Sequence, residues 1–319
     1  MKSPTRLLAA LALAVAGPAF AQSYPTHPIK LLVPWPPGQA TDVAARMVAE
    51  RLTPALGQPL VVDNRPGVGG VLGSEVAAKS PADGYTLLAG SSGPISISPN
   101  VQKVAYEPLK DFTPISLLAV NPFVLVVNPS IPAKNVRELI ALLKASPGKY
   151  SFASSGSGAT SHLMSVLFNS MAGVNAVHVP YKGSSQSITD VVNGQVAYTI
   201  ETVPAVAGLV KAGKLRALAA TSAKRAEAMP DVPTVAETLP GYEMFGWIGL
   251  MAPTGTPSAI TERISAETRK IMQDPEIRKR FLAAGMEPAG NTPSEFTDFL
   301  RTQNERYGSI VRQAHVRLD

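Results

Sequence analysis

One stretch of the chain, Ser154–Ser161, combines glycines with many hydroxyl side chains, and a histidine, His162, follows it directly. Where such a stretch opens a helix, its hydroxyls and backbone N–H groups can grip an anion. The same residue types would permit nucleophilic catalysis, with Ser155 or Ser157 as the nucleophile and His162 as the base. The sequence contains no G-x-S-x-G elbow, so anion binding is favoured over hydrolysis, with plain helix capping as the third possibility.

A second stretch of the same kind, Gln39–Asp42, follows Gly38 and also lies between a predicted strand and a predicted helix. Thr41 or Asp42 is the expected N-cap here, and Thr160 or Ser161 is the expected N-cap of the other helix. A helix N-terminus carries unpaired N–H groups and partial positive charge. If two α/β units present these ends to each other, the cleft between them suits carboxylates.

Four further residues carry candidate chemistry. Lys182 lies in a Tyr-Lys-Gly-Ser-Ser loop after a strand, where it is either a ligand contact or a solvated lysine. Glu201 and Thr202 end another strand, and the carboxylate could orient water, pair with a ligand amine or hydroxyl, or be exposed. Trp35 lies in a Pro-rich loop before the first helix, which favours a place in a cleft wall. No two carboxylates share a short motif, so acid–base catalysis has no support.

Several functional classes are excluded or disfavoured by composition. The sequence has no Cys, which excludes disulfides, thiolate metal sites and Cys nucleophiles. Its four His residues include no i, i+4 pair, so a His-rich metal site is not expected, and no cofactor is predicted. The net charge of +6 comes without a dense Lys/Arg run, which disfavours nucleic acid. The stretch Gly67–Gly73 has the wrong spacing for a dinucleotide fingerprint and indicates a tight turn instead.

The elements that must position these residues alternate along the chain. With 319 residues, 45% hydrophobic, the length suggests two domains or one large one. Strands are predicted at 29–33, 60–63 and 85–89 with helices between them, and the pattern starts again at Phe123–Val127. Two long helices are predicted at 258–273 and 294–312. This alternation predicts an α/β protein with mostly parallel sheets flanked by helices.

The N-terminus has the features of a secretory signal peptide, residues 1–21. Lys2 and Arg6 supply the charged region, Leu7–Ala16 the apolar region, and Ala19–Ala21 an A-x-A cleavage site. About ten apolar residues are too few to span a membrane. Cleavage after Ala21 is therefore predicted, with the mature chain outside the cytoplasm.

Beyond these residues, the chain resembles the substrate-binding proteins of tripartite tricarboxylate transporters, the TctC or Bug (Bordetella uptake gene) family. The resemblance covers essentially the whole mature chain and rests on a set of motifs that are specific together. These motifs are Pro28–Gly38, Asp63–Gly70, Asp83–Leu88, Ser154–His162, Val179–Gly183, Ala212–Leu218 and Pro230–Thr234.

The resemblance implies a two-lobed, type II-like periplasmic binding protein that is not an enzyme. Lobe 1 would comprise residues 22–120 and 231–319, and lobe 2 residues 121–230. The expected ligand is a small carboxylate: a di- or tricarboxylate, an acidic amino acid or an aromatic acid. The expected partners are a large and a small membrane subunit of the transporter, or a sensor kinase if the role is sensing, and the receptor is expected to be a monomer.

Carried over by position, the resemblance also implies the ligand contacts. They are Trp35, Pro37, Gly38, Gln39, Ala40, Thr41, Asp42, Ser91, Ser92, Ser154, Ser155, Ser157, Gly158, Ala159, Thr160, Lys182, Gly183, Ser184, Glu201 and Thr202. Two of them depart from the family pattern. Gln39 stands where members usually have a second Gly, and Glu201 stands where they often have Asp. Both substitutions should alter which acid fits.

Overall fold

Short apolar strands form two separate sheets in the computed structural model, which describes residues 24–313. The first sheet has six strands in the order β11-β4-β10-β3-β1-β2. Its strands are β1 (Ile29–Val33), β2 (Leu60–Asn64), β3 (Thr86–Ser91), β4 (Phe112–Asn121), β10 (Gly246–Pro253) and β11 (Glu287–Pro288). The second sheet has five strands in the order β7-β6-β8-β5-β9. Its strands are β5 (Phe123–Val127), β6 (Ser151–Ser154), β7 (Val177–Pro180), β8 (Tyr198–Thr202) and β9 (Arg216–Ala220).

Helices occupy most of the connections between these strands. They are α1 (Ala40–Leu56), α2 (Val71–Ala78), α3 (Ser98–Val101), α4 (Pro108–Asp111), α5 (Val136–Ala145), α6 (Thr160–Ala172), α7 (Ser184–Val192), α8 (Val203–Lys211), α9 (Ser258–Gln273), α10 (Pro275–Ala283) and α11 (Pro293–Gln313). The last of them packs against the first sheet, where Phe296 meets Trp247 of β10 edge to face at 5.8 Å. Burial of such apolar faces on both sides of a sheet is what holds an α/β layer together.

The sheets are mixed rather than mostly parallel, which corrects one detail of the predicted fold. In the first sheet β1 pairs in parallel with β2 and β3, whereas β10 is antiparallel to both β3 and β4. In the second sheet β6 pairs in parallel with β7 and β8, whereas β5 is antiparallel to β8 and β9. The chain passes directly from β4 to β5 at Pro122 and returns through β10, so strands entering from the other sheet run against their neighbours.

The chain changes sheet twice, between Asn121 and Phe123 and between Ala220 and Gly246. These changes lie near the predicted lobe boundaries, but the assignment of residues 22–120 and 231–319 to one lobe stays a prediction. The predicted signal peptide, residues 1–21, lies outside the described residues. Between residues 24 and 313, no helix has both the length and the apolar character needed to cross a membrane.

Candidate functional site

Two helices begin at loops that follow the carboxyl ends of strands, one beside each sheet. The N-cap of α1 is Gln39 (φ −77°, ψ 161°), and the N-cap of α6 is Ala159 (φ −69°, ψ 160°). Neither residue caps its helix through a side chain. The predicted N-caps, Thr41 or Asp42 and Thr160 or Ser161, are therefore wrong, because these residues already lie inside the first helical turn. The N–H groups of both first turns have no intrahelical acceptor and no capping side chain.

The two helix starts face each other across a small cavity, here called the first cavity. Ser92, which follows β3, and Thr160 of α6 are joined by a hydrogen bond of 2.8 Å between their hydroxyls. The cavity has a volume of about 40 Å³, which is room for about three water molecules. It is lined by Trp35, Gln39, Ala40, Thr41, Ser91, Ser92, Asn121, Phe123, Ser155, Thr160, Ser161, Ser184, Glu201, Thr202, Trp247 and Ile248. Residues beside both sheets thus close around one space, whose lining is part polar and part apolar.

Asp42 holds the α1 loop in shape and does not line the first cavity. Its buried carboxylate accepts hydrogen bonds from the Gly38 N–H (2.9 Å), the Arg46 guanidinium (3.0 Å) and the Asn64 amide (2.9 Å). Burial by itself would raise the pKa of Asp42, but the hydrogen bonds from these three groups and the charge of Arg46 together lower it below its usual value. The residue acts on the site by fixing the backbone that precedes α1.

Trp35 and Ser155 line both the first cavity and a second one of about 260 Å³. The indole N–H of Trp35 donates to Ser91 Oγ at 2.8 Å, which fixes the ring in the cleft wall. The second cavity is bounded by the loop 67–70, the loop 155–157 and residues 180–182. Ser157 and Lys182 line this second cavity and not the first, so the structure separates them from the other predicted contacts.

Glu201 is the charged group of the first cavity. It is 1% exposed, and its carboxylate accepts hydrogen bonds from Ser184 Oγ (2.7 Å) and Ser187 Oγ (3.3 Å). Burial raises the pKa of Glu201 to about 7, although the bonds from Ser184, Ser187 and the Thr202 N–H act in the opposite direction. Among the described residues that line the cavity there is no Lys, Arg or His.

The Ser155–His162 and Ser157–His162 pairs required for hydrolysis are not hydrogen-bonded. His162 Nδ1 accepts the Gly158 N–H at 3.3 Å, and Ser155 Oγ is bonded to Ser161 Oγ at 2.8 Å. The imidazole thus ties the glycine-rich loop to α6 as a packing and capping group. Ser154 instead bonds His178 Nε2 at 2.7 Å, and the two imidazole rings stack at 4.0 Å.

Burial keeps both imidazoles neutral. Desolvation and then the neighbouring His178 lower the pKa of His162 to about 3, and desolvation lowers the pKa of His178 to about 4. The hydrogen bond at His162 Nδ1 agrees with this, because an atom that accepts a backbone N–H carries no proton of its own.

Of the predicted contacts, most line the first cavity. Those that line neither cavity are Pro37, Gly38, Asp42, Ser154, Gly158, Ala159 and Gly183. Gly183 packs closely against a residue of the cavity lining, because a Cβ built on it would lie 2.9 Å from Gln39 Nε2. The assignment of these residues to ligand binding stays a prediction.

Five lining residues were not among the predicted contacts. They are Asn121, Phe123, Ser161, Trp247 and Ile248. Asn121 and Phe123 flank the point where the chain leaves the first sheet, and Trp247 and Ile248 belong to the strand β10 that returns to it. The available signal was the apolar run Gly246–Pro253, whose length and flanking proline are typical of a buried strand. Within residues 24–313, no group of three or more His, Asp or Glu could hold a metal ion.

Known proteins resemble this chain over nearly its whole length. The family model described as "Tripartite tricarboxylate transporter family receptor" matches residues 44–316. The chain belongs to this receptor family. BugT of Bordetella pertussis is 39% identical over 324 residues, a match that covers 98% of this chain and 99% of BugT.

Two solved structures that are similar to this chain carry carboxylates. A Rhodopseudomonas palustris protein with adipate is 35% identical, with a TM-score of 0.89 and coverage of 92% of this chain and 99% of that one. MatC from the same organism, with bound malate, is 29% identical, with a TM-score of 0.86 and coverage of 90% and 100%. This receptor therefore has the α/β, two-lobed fold of periplasmic solute-binding proteins.

Proposed function

We propose that this receptor captures a small dicarboxylate between its two sheets and does no chemistry on it. The observation that carries the proposal is the pairing of two uncapped helix starts, α1 and α6, across the first cavity. Helix N-termini bind anions through their free N–H groups and partial positive charge. The adipate and malate of the related structures are anions of this class.

One ligand carboxylate is held at the start of α1, near Ala40 and Thr41, and the other end is held at the start of α6 by Thr160 and its neighbours. The Ser92–Thr160 hydrogen bond then connects the two halves of the grip. A dicarboxylate is larger than the roughly three water molecules for which the first cavity has room, so the two halves must lie further apart around the ligand than they do here. Exclusion of water from the occupied site strengthens each hydrogen bond to the ligand. The chain is a receptor and not a hydrolase in this proposal, since neither Ser155 nor Ser157 is bonded to His162.

We propose the biological setting on the basis of the family. The precursor is cut after Ala21, the mature monomer binds its ligand in the periplasm, and the closed form docks on a large and a small membrane subunit. Lobe 1 (residues 22–120 and 231–319) and lobe 2 (residues 121–230) move against each other during capture. The alternative role is sensing, in which the closed form docks on a sensor kinase. The ligand-binding step would be the same in both roles, and the sensing role stays a prediction.

Calorimetry on the purified mature chain with a panel of dicarboxylates, malate and adipate among them, tests the proposal. At least one member should bind, and the Thr41→Ala and Thr160→Ala variants should each weaken its affinity about tenfold, the loss of one hydrogen bond to a charged group. Thr302→Ala, on the exposed face of α11, is the matched control and should bind as the wild type does. The ligand should be recovered unchanged after incubation. Binding by no carboxylate, or unaltered affinity in both cavity variants, would refute the two-helix grip.

A further inference from the structure

The first cavity places an anionic ligand next to a buried carboxyl and offers no cation. Among the described lining residues, Glu201 alone has an ionisable side chain. Its immediate partners are the hydroxyls of Ser184 and Ser187 at the start of α7, which are neutral donors. A buried charge without a counter-ion is expensive, and a second negative charge beside it adds repulsion.

The charged groups on the elements around Glu201 are bonded to another residue, exposed to solvent or distant from its carboxyl. On α7, Asp190 accepts a hydrogen bond of 2.6 Å from the Tyr181 hydroxyl, and Lys182 ahead of that helix is exposed. On α8, which follows Glu201 in the chain, the one charged residue is Lys211 at the far end of the helix. The neighbouring strand β5 places the apolar Val124 opposite Glu201.

The elements on the other side of the cavity supply no counter-charge either. Asp42 and Arg46 of α1 form an ion pair with each other. His162 of α6 accepts a backbone N–H and is held neutral. Within residues 24–313, Glu201 takes part in no ion pair.

We propose that Glu201 takes up a proton as a dianionic ligand closes into the first cavity, so that the receptor captures ligand and proton together. The proton comes from solvent or buffer, and it converts the Glu201 carboxylate into a neutral acid that can donate a hydrogen bond to the ligand. The inference rests on the proposed function, since it requires a carboxylate in this cavity. Burial already raises the pKa of Glu201 to about 7 before the ligand enters, so protonation of its carboxylate near neutral pH costs little free energy.

Calorimetric titration at pH 8, in HEPES and in Tris, measures the proton uptake directly. The probe is the tightest dicarboxylate of the panel above, which is fully ionised at this pH, so any proton taken up belongs to the protein. We expect about 0.5–1 proton per bound ligand, and a dissociation constant that correspondingly rises about three- to tenfold per pH unit near pH 8. The proposal would be overturned if the observed binding enthalpies, corrected only for heats of dilution, were equal in both buffers and the affinity were independent of pH. Carboxylate binding itself would stand. If no dicarboxylate binds, the proposed function and this inference fail together.

The variant Glu201→Gln keeps the size of the side chain. Its single amide oxygen can accept from Ser184, and its NH2 group can donate to the Ser187 hydroxyl oxygen. It should bind the probe without proton exchange and with an affinity that does not change between pH 7 and pH 9. Glu227→Gln, on an exposed loop, is the matched control and should retain the wild-type uptake. Proton uptake that persists in Glu201→Gln would assign the proton to another group. The wild-type buffer comparison decides the question even if this variant does not fold.

Discussion

At the scale of single residues, Asp42 contributes more to stability than an ordinary surface carboxylate. It is buried and bonded to Gly38, Arg46 and Asn64. We expect Asp42→Asn to lower the free energy of unfolding by about 1–3 kcal/mol, since hydrogen bonds to a charged group are lost or weakened. Urea denaturation at pH 7 measures this. Asp63→Asn, which removes the partner of exposed Arg65, is the control and should cost less than about 1 kcal/mol.

The pH dependence of this difference has a definite sign. Because the pKa of Asp42 is lowered in the folded chain, its stabilisation is complete above the pKa of the unfolded chain and is lost as the pH falls through the folded value. The gap between wild type and Asp42→Asn should therefore narrow below about pH 4. A gap that stays constant down to pH 3 would mean that the carboxylate charge contributes nothing.

The neutral histidines affect the free energy of unfolding at higher pH than Asp42 does, between about pH 6.5 and pH 4. Each has a pKa of 6.5 when unfolded, against about 3 for His162 and about 4 for His178 in the folded chain. The unfolded chain binds more protons between these values, so stability should fall as the pH drops from 6.5 towards 4. In His162→Asn, which keeps an acceptor but does not titrate there, melting temperature should fall less steeply over this range. His27→Gln, at an exposed position, should keep the wild-type slope.

At the scale of elements, a substitution at Gln39 can supply the side-chain cap that the start of α1 lacks. Gln39 has an extended N-cap backbone without a capping side chain, so Gln39→Asn and Gln39→Asp should both cap the helix and stabilise the unliganded chain by about 1 kcal/mol. Only the Asp variant adds negative charge where the ligand carboxylate is proposed to sit, so it should bind the ligand more weakly than the Asn variant. Thermal unfolding and calorimetry measure the two effects. Equal affinities in both variants would place the ligand away from this helix start.

Most elements could be predicted because their patterns are local. Strands Ile29–Val33 and Phe123–Val127 and helix Ser258–Gln273 match their predicted bounds. The strands are short apolar runs, the helix has a helical apolar period, and clear turns flank all three. Strands β4 and β10 were not predicted, so the antiparallel pairings of the first sheet and the cavity-wall residues Asn121 and Trp247 were missed as well. In the second sheet the strands β5, β8 and β9 were predicted, but their antiparallel pairing was not. Pairing of strands about 130 residues apart depends on tertiary contacts, which no local periodicity encodes. The N-caps were displaced for a related reason, because propensity favours Thr and Asp at positions that this fold keeps helical.

At the scale of the whole molecule, closure of the two halves depends on a close backbone approach between loops beside different sheets. Gly69 lies in the loop before α2, and a Cβ built on it would sit 2.7 Å from the carbonyl oxygen of Ser157 and 3.3 Å from the Ala159 nitrogen. These are backbone atoms of the loop that opens α6, so they cannot rotate away as a side chain would. We expect Gly69→Ala to keep the halves apart and to weaken dicarboxylate binding by tenfold or more.

The matched control for this variant is Gly173→Ala at the end of α6. Gly69 has φ +63° and Gly173 has φ +61°, so each substitution places a side chain on a left-handed backbone, at a cost of about 1 kcal/mol. A Cβ at Gly173 meets nothing within 4 Å, so this variant should lose stability but not affinity. X-ray scattering with saturating ligand should then show contraction for the wild type and Gly173→Ala, and none for Gly69→Ala. Wild-type affinity in Gly69→Ala would show that the ligand is held without contact between these loops.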